Sequence, residues 1–489
     1  MTNQEKWKRL SAILDEAEAY GRAIGKLNFD MECCAPEEGM EQAGDDMALL
    51  GKHIHALTHS PEYAALVGEL HADGEGLSFA QRKTVEHLWE RYEKGKNITE
   101  EFDHAWSVAA NRAYGKWLAA KKASDFSLFR DSLAEVVDFT RKAIDLRDEK
   151  PATYYNACLD DTEKGGSEAQ MDAFFGALKE RIVPLMRRIR AEGKPIREDF
   201  LTRPCPIPEQ ERFSHYLLEA EGLRKSALVL MTTEHPFTTE FGPHDVRVTT
   251  HYFEDNFISN IFSTLHEGGH ALFMQNEPEE FWREHTAGSM SNAMHECISR
   301  FYENIIGRSD AFIHFVYPKL QEISGDTFSD VSERELYEAV NIARPSLIRT
   351  EADELTYSLH ILIRYELEKL MLNGEITVDE IPVLWNAKYK VPGPGRPRRR
   401  PGLPAGCPLD PELRLLPVLR PRQRLRRTDF GRHGEGLRRL RRRPGGEAHR
   451  RPGLAERARL LHRLRLHAGR VDPRHHRRTP GSGLLPHLP

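Results

Sequence analysis

The chain has 489 residues and a formal net charge of −5, and this length allows a large buried core and a catalytic cleft. The charge is divided unevenly. Residues 391–489 hold 26 Arg, no Lys, seven acidic residues and 15 Pro, so they carry +19 while residues 1–390 carry −24. An acidic body of this kind argues against nucleic-acid binding as the main function.

Cysteine usage and hydropathy indicate where the protein works. The six cysteines show no metal-knuckle spacing, which fits a reducing, intracellular setting. The first residues carry no basic-then-apolar signal, and no apolar run approaches membrane-spanning length. We therefore expect a cytoplasmic protein without a membrane partner.

Helical periodicity dominates the acidic body, which predicts a mainly α fold. One of the predicted helices has a clear beginning, because Ser167 is a good N-cap, and a clear end at a Gly-Lys-Pro stop. A Pro-, Glu- and Gly-rich break is predicted at residues 34–44. Helices are predicted at residues 4–27, 79–148 (almost throughout), 167–191, 208–231 and 255–275.

Strand signals are few, and the best lies at residues 246–252, where β-branched and polar residues alternate. This segment directly precedes the helix predicted at residues 255–275. An edge strand in that position could hold an extended peptide by main-chain hydrogen bonds. From the pattern alone, a simple short hairpin is an equally good interpretation.

The helix at residues 255–275 contains a His-Glu-Gly-Gly-His motif. Positions i and i+4 of a helix share a face, so His266 and His270 can offer two imidazole nitrogens to one ion. Glu267 can then reach a metal-activated water rather than the metal. Two glycines cost about 1 kcal/mol each relative to Ala in a helix, but they are useful where a ligand or another helix must come close. A packing helix with incidental histidines is the less favoured alternative.

A catalytic zinc site needs a third protein ligand and one open position. The candidate is Glu296, 26 residues after His270, on a second helix predicted at residues 294–304. That spacing suits a helix–loop–helix return to the same ion. Glu303 lies on roughly the same helical face and could anchor an imidazole. Taken alone, Glu296 would more readily be a surface carboxylate, but the preceding motif favours a His, His, Glu metal set.

This set predicts hydrolysis of a peptide bond. The ion would activate a water and polarise the scissile carbonyl, while Glu267 would act as general base and return the proton to the leaving amine. Interleaved charged and apolar residues predict one long helix from residue 348 to 367. On it, Arg349 is suited to binding a peptide's terminal carboxylate by a bidentate pair. From the residues alone, an ion pair of Arg349 with Glu351 or Asp353 is the favoured alternative.

Five segments of the chain together resemble the signature motifs of the carboxypeptidase Taq family of zinc metallocarboxypeptidases. They occur in the family's order, and the resemblance covers residues 1–390. The segments are residues 234–237, 245–250, 266–273, 295–304 and 348–357. The Ile-Arg-x-x-Ala-Asp signature in the last of these favours a substrate-binding role for Arg349. Cys297 stands where the family usually has Ser, a change from which we expect little effect.

The resemblance implies an almost entirely helical fold, similar to neurolysin and angiotensin-converting enzyme, with a deep cleft and a small edge sheet beside the metal helix. It implies removal of single residues from peptide C-termini with broad preference. It further implies zinc as the metal, with cobalt as an effective substitute, and usually a homodimer. An endo-oligopeptidase of similar fold is the alternative enzyme, and a metal-binding product without turnover is the alternative that is not an enzyme.

The family pattern stops near Lys390. Two expected motifs, Gly-x-x-Gln-Asp-x-His-Trp and Phe-Gly-Tyr-Phe-Pro-x-Tyr, are missing from residues 391–489, which lack Lys, Asn, Ile, Met, Tyr and Trp. If the coding sequence is read one base later, the first base of each new codon is the second base of the observed codon, which the observed residue fixes. Only the middle base of the new codon is then free. Residues 404–409 then permit Leu-Gln-Asp-Val-His-Trp, and residues 414–419 permit Gly-Tyr-Phe-Pro-Ser-Tyr.

We therefore predict that residues 1–390 are a C-terminally incomplete catalytic domain and that residues 391–489 are a disordered, out-of-frame tail. A natural Arg/Pro-rich arm that binds RNA is the less favoured alternative. The family's own C-terminal segment would supply a His and a Tyr near the metal, suited to holding the reaction intermediate. Without it, we expect impaired activity and an uncovered apolar surface.

Overall fold

The structure is a computed structural model that describes residues 1–389 except residues 234, 289, 290, 348, 350 and 351. The predicted tail, residues 391–489, and the predicted domain boundary at residue 390 therefore lie outside the described residues. Part of the Ile-Arg-x-x-Ala-Asp segment is also outside them, although Arg349 itself is described.

Helices make up most of the described chain, which confirms the mainly α fold class. In chain order the α-helices are α1 (Asn3–Cys33), α2 (Met40–Thr58), α3 (Pro61–Ala72), α4 (Phe79–Gly95), α5 (Glu100–Ala123), α6 (Ser127–Asp145), α7 (Tyr154–Thr162), α8 (Glu168–Glu192), α9 (Ile207–Glu221), α10 (Phe257–Asn276), α11 (Glu279–Arg283), α12 (Asn292–Arg300), α13 (Asp310–Ser324), α14 (Glu333–Val340), α15 (Glu354–Asn373) and α16 (Ile381–Tyr389). A π-helical segment, Phe301–Ile306, continues α12 without a break. Short 3₁₀ helices lie at Glu37–Gly39, Asp199–Thr202, Lys225–Ala227, Gly325–Phe328 and Val378–Glu380.

Local capping chemistry explains the helices that were predicted best. The hydroxyl of Ser167 accepts a hydrogen bond from the main-chain N–H of Gln170, and the Gln170 side chain accepts one from the N–H of Ser167. This capping box begins α8 one residue after Ser167, as predicted. Helix α1 runs six residues beyond the predicted end at residue 27, because Phe29 is buried against Phe237 and extends the apolar face.

Two helix predictions are wrong in part. The helix predicted at residues 208–231 stops at Glu221, because Gly222 adopts a left-handed φ of 98° that ends α9. The helix predicted from residue 348 begins only at Glu354, because Asp353 caps it by accepting the N–H groups of Leu355 and Thr356. Arg349 therefore lies before α15 rather than on it.

A three-stranded sheet lies beside α10 and is formed by β1 (Leu228–Thr232), β2 (Thr238–Glu240) and β3 (Val246–Thr250). The strand order is β1-β3-β2, with β1 parallel and β2 antiparallel to β3. The small sheet next to the metal helix is thus confirmed. The expectation that residues 246–252 form its edge strand is wrong, because β3 is paired on both sides. The hairpin interpretation is correct for β2 and β3, but it omits β1.

Helix α10 packs into one of three large apolar clusters among the described residues. Phe257, Ile261, Phe262 and Leu265 on α10 pack with residues of α9, α13 and α14 in this cluster. A second cluster joins α5–α8 to α15 and α16, and a third joins α1, α3 and α4. Among the described residues, none of the helices has the length and apolar character needed to cross a membrane.

Candidate metal centre

Three side chains on two helices converge at the middle of α10. Nε2 of His266 lies 3.4 Å from Oε2 of Glu296, and Nε2 of His270 lies 4.0 Å from the same oxygen. One ligand atom from each residue lies within 4.8 Å of the others. A tetrahedral ion with bonds of about 2.0–2.1 Å holds its ligand atoms roughly 3.3 Å apart, so the group fits a divalent metal after small adjustments.

The two glycines of the motif are explained by close neighbours on two sides of α10. A Cβ on Gly269 would lie 3.0 Å from Cα of Ser299 and 3.2 Å from the main-chain oxygen of Ile298. Helix α12 can therefore approach α10 closely enough for Glu296 to reach the histidines. A Cβ on Gly268 would lie 1.7 Å from Oε2 of Glu221, so the other glycine makes room for a carboxyl from α9. Both positions fit the expected close approach.

Glu303 contacts His266 at the ring nitrogen that does not face Glu296. Its Oε2 lies 2.8 Å from Nδ1 of His266. Because a carboxylate only accepts hydrogen bonds, Nδ1 donates a hydrogen bond to Glu303, and Nε2 is the ring nitrogen that faces Glu296. Arg300 donates to both oxygens of Glu303 at 3.0 and 2.9 Å. Glu303 thus contacts His266, on the helical face from which it was expected to reach an imidazole.

At the centre, burial is outweighed by charged neighbours, which lower the pKa of Glu303 and raise that of His266. Burial raises the pKa of Glu303, but its bonds to His266 and Arg300 outweigh burial and lower that pKa. Burial likewise disfavours charge on His266, while bonds to Glu296 and Glu303 raise its pKa well above the ordinary value. Metal binding must therefore displace a proton from His266.

Glu267 is fixed by a strand of the neighbouring sheet. Oγ1 of Thr238, on β2, lies 2.6 Å from Oε2 of Glu267 and 3.0 Å from its main-chain oxygen. The Glu267 residue is only 7% exposed, whereas the Glu296 side chain is 56% exposed. One side of the ligand group therefore faces solvent, and the carboxyl beside it is held in a single orientation.

Arg349 is buried, at 8% exposure, in the segment before α15. It donates a hydrogen bond to the hydroxyl of Tyr357 on α15. The guanidinium of Arg300 stacks on the ring of the same tyrosine, with its Cζ 3.6 Å from the ring centroid. The alternative pairing with Glu351 lies outside the described residues. Asp353, the other predicted partner, caps α15.

Sequence reasoning missed several residues around the site. Thr238 was missed because its contact with Glu267 spans 29 residues and two kinds of element. Glu221 was missed because an acidic residue near a helix end predicts a solvated side chain, yet its two side-chain oxygens are buried and accept no hydrogen bond from the described residues. Burial raises the pKa of Glu221 well above the ordinary value, and the nearby His266 only partly opposes this.

Exposed apolar side chains follow the outer face of α12 and its π-helical continuation. Met294, Phe301 and Ile305 are 51%, 47% and 59% exposed. An apolar stripe of this kind beside a polar centre is unusual for a solvated surface. It is the kind of surface expected if a covering segment is missing.

The chain matches the family model described as carboxypeptidase Taq (M32) metallopeptidase over residues 9–392. Among named relatives, Carboxypeptidase 1 of Bacillus subtilis is 36% identical over 385 residues, which are 78% of this chain and 76% of the relative. Thermostable carboxypeptidase 1 of Thermus thermophilus is 34% identical over 405 residues, 80% of this chain and 78% of the relative.

Solved structures give the same result. The fold is similar to that of Pyrococcus furiosus carboxypeptidase, with a TM-score of 0.74 and 33% sequence identity. The similarity covers 81% of this chain and 79% of that one.

Proposed function

This chain belongs to the carboxypeptidase Taq (M32) family and is a metallocarboxypeptidase, and from that premise we propose that it releases single residues from peptide C-termini with broad preference, with Glu267 as general base. The observation that carries the proposal is the convergence of His266, His270 and Glu296 on one point, beside a carboxyl held by Thr238. Peptides are the substrates of such an enzyme.

We propose zinc as the metal, with cobalt as a working substitute, and His266, His270 and Glu296 as its ligands. Two imidazoles and one carboxylate are a donor set that zinc accepts in hydrolases. When bound there, a divalent metal would supply an acidified water and polarise the scissile carbonyl. The contact between Glu303 and His266 supports an anchoring role, because it fixes the ring and leaves Nε2 as the donor atom.

Glu267 would take a proton from the attacking water and then give it to the leaving amine. The hydroxyl of Thr238 donates to Oε2 of the carboxylate and so limits the orientations of the base. Thr238 thus links the base to the small sheet. The central strand of that sheet, β3, is paired on both sides and cannot bind a peptide by its main chain.

Arg349 would bind the terminal carboxylate of the peptide. A guanidinium can make two parallel bonds to a carboxylate, and in a poorly solvated position this pairing is strong. The burial of Arg349 and its bond to Tyr357 support this role, since both limit the orientations of its side chain.

A Glu267→Gln variant of the full chain tests the base. Gln keeps the shape of Glu267 and a hydrogen-bonding partner for Thr238 but cannot accept a proton, so we expect hydrolysis of a C-terminally free peptide to fall by about 10²–10⁴-fold. Zinc content should be unchanged. Full turnover in this variant would refute the assignment.

Cleavage of amidated peptides separates the two enzyme interpretations. A carboxypeptidase that recognises a free carboxylate through Arg349 should stop when the peptide C-terminus is amidated, whereas an endo-oligopeptidase should continue. Arg349→Lys should raise KM for the free peptide because Lys binds as a point charge without the bidentate fork. Arg349→Lys without an effect on KM would argue against the carboxylate role.

We also propose that residues 391–489 are read out of frame, which would impair this chain. The family match ends at residue 392, next to the proposed change of frame, and the exposed stripe on α12 supports a missing cover. Sequencing across the codon for Lys390 tests the idea. A clean, uninterrupted frame would refute it, while an inserted or deleted base would confirm it. Cytoplasmic location and a homodimer stay predictions, which cell fractionation and sedimentation would test.

A further inference from the structure

A continuous line of side-chain contacts leads from Arg349 to the ligand His266. Arg349 donates to the hydroxyl of Tyr357, and the face of the Tyr357 ring lies 3.6 Å from Cζ of Arg300. Arg300 donates to both oxygens of Glu303, whose Oε2 receives the Nδ1 proton of His266. The members come from four different segments: the chain before α15, α15 itself, α12 with its π-helical continuation, and α10.

Tyr357 is the member of this line that contacts both arginines. Its hydroxyl accepts a hydrogen bond from Arg349, whose Cζ also lies 5.3 Å from the ring centroid. Its ring stacks more closely on Arg300, so one side chain positions two cations. A guanidinium that stacks closely on an aromatic ring is attracted by the negative face of the ring, and more strongly where water is excluded. The ring also keeps Nη1 of Arg300 directed at Glu303 rather than at solvent, although the Arg300 side chain is 26% exposed.

We propose that Tyr357 is a positioning residue that couples substrate-carboxylate recognition to the geometry of the metal ligands. The inference rests on the proposed function for the role of Arg349. Its metal side, from Tyr357 through Arg300 and Glu303 to His266, depends only on contacts between described residues. The hydroxyl and the ring of Tyr357 should therefore have separable effects, the first on peptide binding and the second on metal binding.

Two substitutions separate the hydroxyl from the ring. Tyr357→Phe removes the bond to Arg349 and keeps the surface under Arg300. We expect this variant to raise KM for a C-terminally free peptide about threefold to tenfold, with kcat and zinc affinity within about twofold of the parent. Tyr357→Leu also removes the aromatic face. We expect it to weaken zinc binding by about threefold to tenfold as well, measured by chelator competition without substrate.

Tyr337→Leu is a matched control. Tyr337 is also partly buried and also carries an arginine, since Cζ of Arg334 lies 5.1 Å from its ring centroid. It belongs to α14, and the contacts of its Arg334 lead to Glu338 rather than to Glu303. We expect this control to leave zinc affinity and KM unchanged. Thermal melting of each zinc-free variant checks that the fold is retained.

The outcomes distinguish this inference from the proposed function. If Tyr357→Leu binds zinc as tightly as the parent, the coupling role is refuted, whatever the peptidase activity. If Tyr357→Leu weakens zinc binding but Arg349→Lys leaves peptide affinity unchanged, the positioning of Arg300 stands and the carboxylate role of Arg349 fails. Where turnover of the full chain is too low, binding of an uncleaved C-terminally free peptide, measured by calorimetry, replaces KM. A Tyr357→Phe variant whose zinc affinity falls as far as that of Tyr357→Leu would also contradict the separation of hydroxyl and ring.

Discussion

The pKa values of two buried carboxyls in this molecule are shifted in opposite directions, and their neighbours explain the difference. Glu303, next to His266 of the candidate metal centre, is 8% exposed. Glu368, on α15 where it packs with α7, is 6% exposed. Burial raises the pKa of both. For Glu303, donors from Arg300 and His266 reverse the effect and lower the pKa. For Glu368, burial outweighs its partners and raises the pKa to about 8.

The lesson is that burial alone does not decide charge. Glu368 accepts one neutral hydrogen bond, from the hydroxyl of Tyr155 at 3.2 Å. The nearby Arg364 directs one of its nitrogens to the main-chain oxygen of His360 and to the hydroxyl of Tyr389. Glu303 has charged donors on both oxygens. Charged donors lower the pKa of a buried carboxyl, whereas burial among weaker partners raises it.

The largest expected effect comes from removing the charge of Glu303. Glu303→Gln removes the acceptor charge that fixes the Nδ1 proton of His266, so zinc affinity should fall by about 10–100-fold in a chelator competition. Glu338→Gln is the control, because Glu338 also accepts from an arginine, Arg334 at 2.8 Å, away from the centre. Equal zinc affinities in the two variants would break the comparison.

The second prediction concerns stability against pH at Glu368. The unfolded carboxyl titrates near 4.5 and the folded one at about 8, so between these values the folded chain holds a proton that the unfolded chain has released. Stability should therefore fall as the pH rises through this interval. Glu368→Gln cannot ionise, so it should lose less Tm between about pH 5 and pH 9, by a few degrees.

Glu366→Gln, on the same helix, is the matched control for this measurement. Its carboxyl is 27% exposed and pairs with Lys388. The parent and this control should show the same steep loss of Tm toward high pH. An equally steep loss in Glu368→Gln would contradict a buried, protonated carboxyl.

The smallest expected effect concerns a third buried carboxyl, Glu221, which has no hydrogen-bond partner among the described residues. Both side-chain oxygens of Glu221 are buried against α10. Replacing such a group by an apolar one of similar shape is nearly neutral or stabilising. Glu221→Met should therefore raise the free energy of unfolding of the zinc-free chain by about 1 kcal/mol in urea denaturation. Glu219→Met, at an exposed position of the same helix, should change it by less than about 0.5 kcal/mol. A clear loss of stability in Glu221→Met would show that Glu221 makes a favourable interaction.

Sequence predicted those parts of the site that depend on spacing within one helix. His266 and His270 share a face because they are four residues apart, and Glu296 and Glu303 because they are seven apart. The glycine pair indicated close approach correctly. Ser167 and its capping partner likewise gave the start of α8.

The remaining features depend on contacts between distant segments, which no local pattern contains. The bond from Thr238 to Glu267 needs β2 to lie beside α10, and the stacking of Arg300 on Tyr357 joins α12 to α15. The end of α9 is different, because Gly222 was a visible stop signal and the apolar residues after it were misassigned to the same helix. The pairing of β3 on both sides required knowledge of β1.

The π-helical segment Phe301–Ile306 has a consequence for how this part of the chain tolerates changes in length. Its main-chain bonds span one residue more than those of α12, and Glu303 lies within it. Deleting a single residue here would move Glu303 by about 100° around the helix and away from His266. Substitutions at the exposed Phe301 or Ile305 leave the backbone spacing intact. At these two exposed positions, insertions and deletions should therefore be tolerated less well than substitutions.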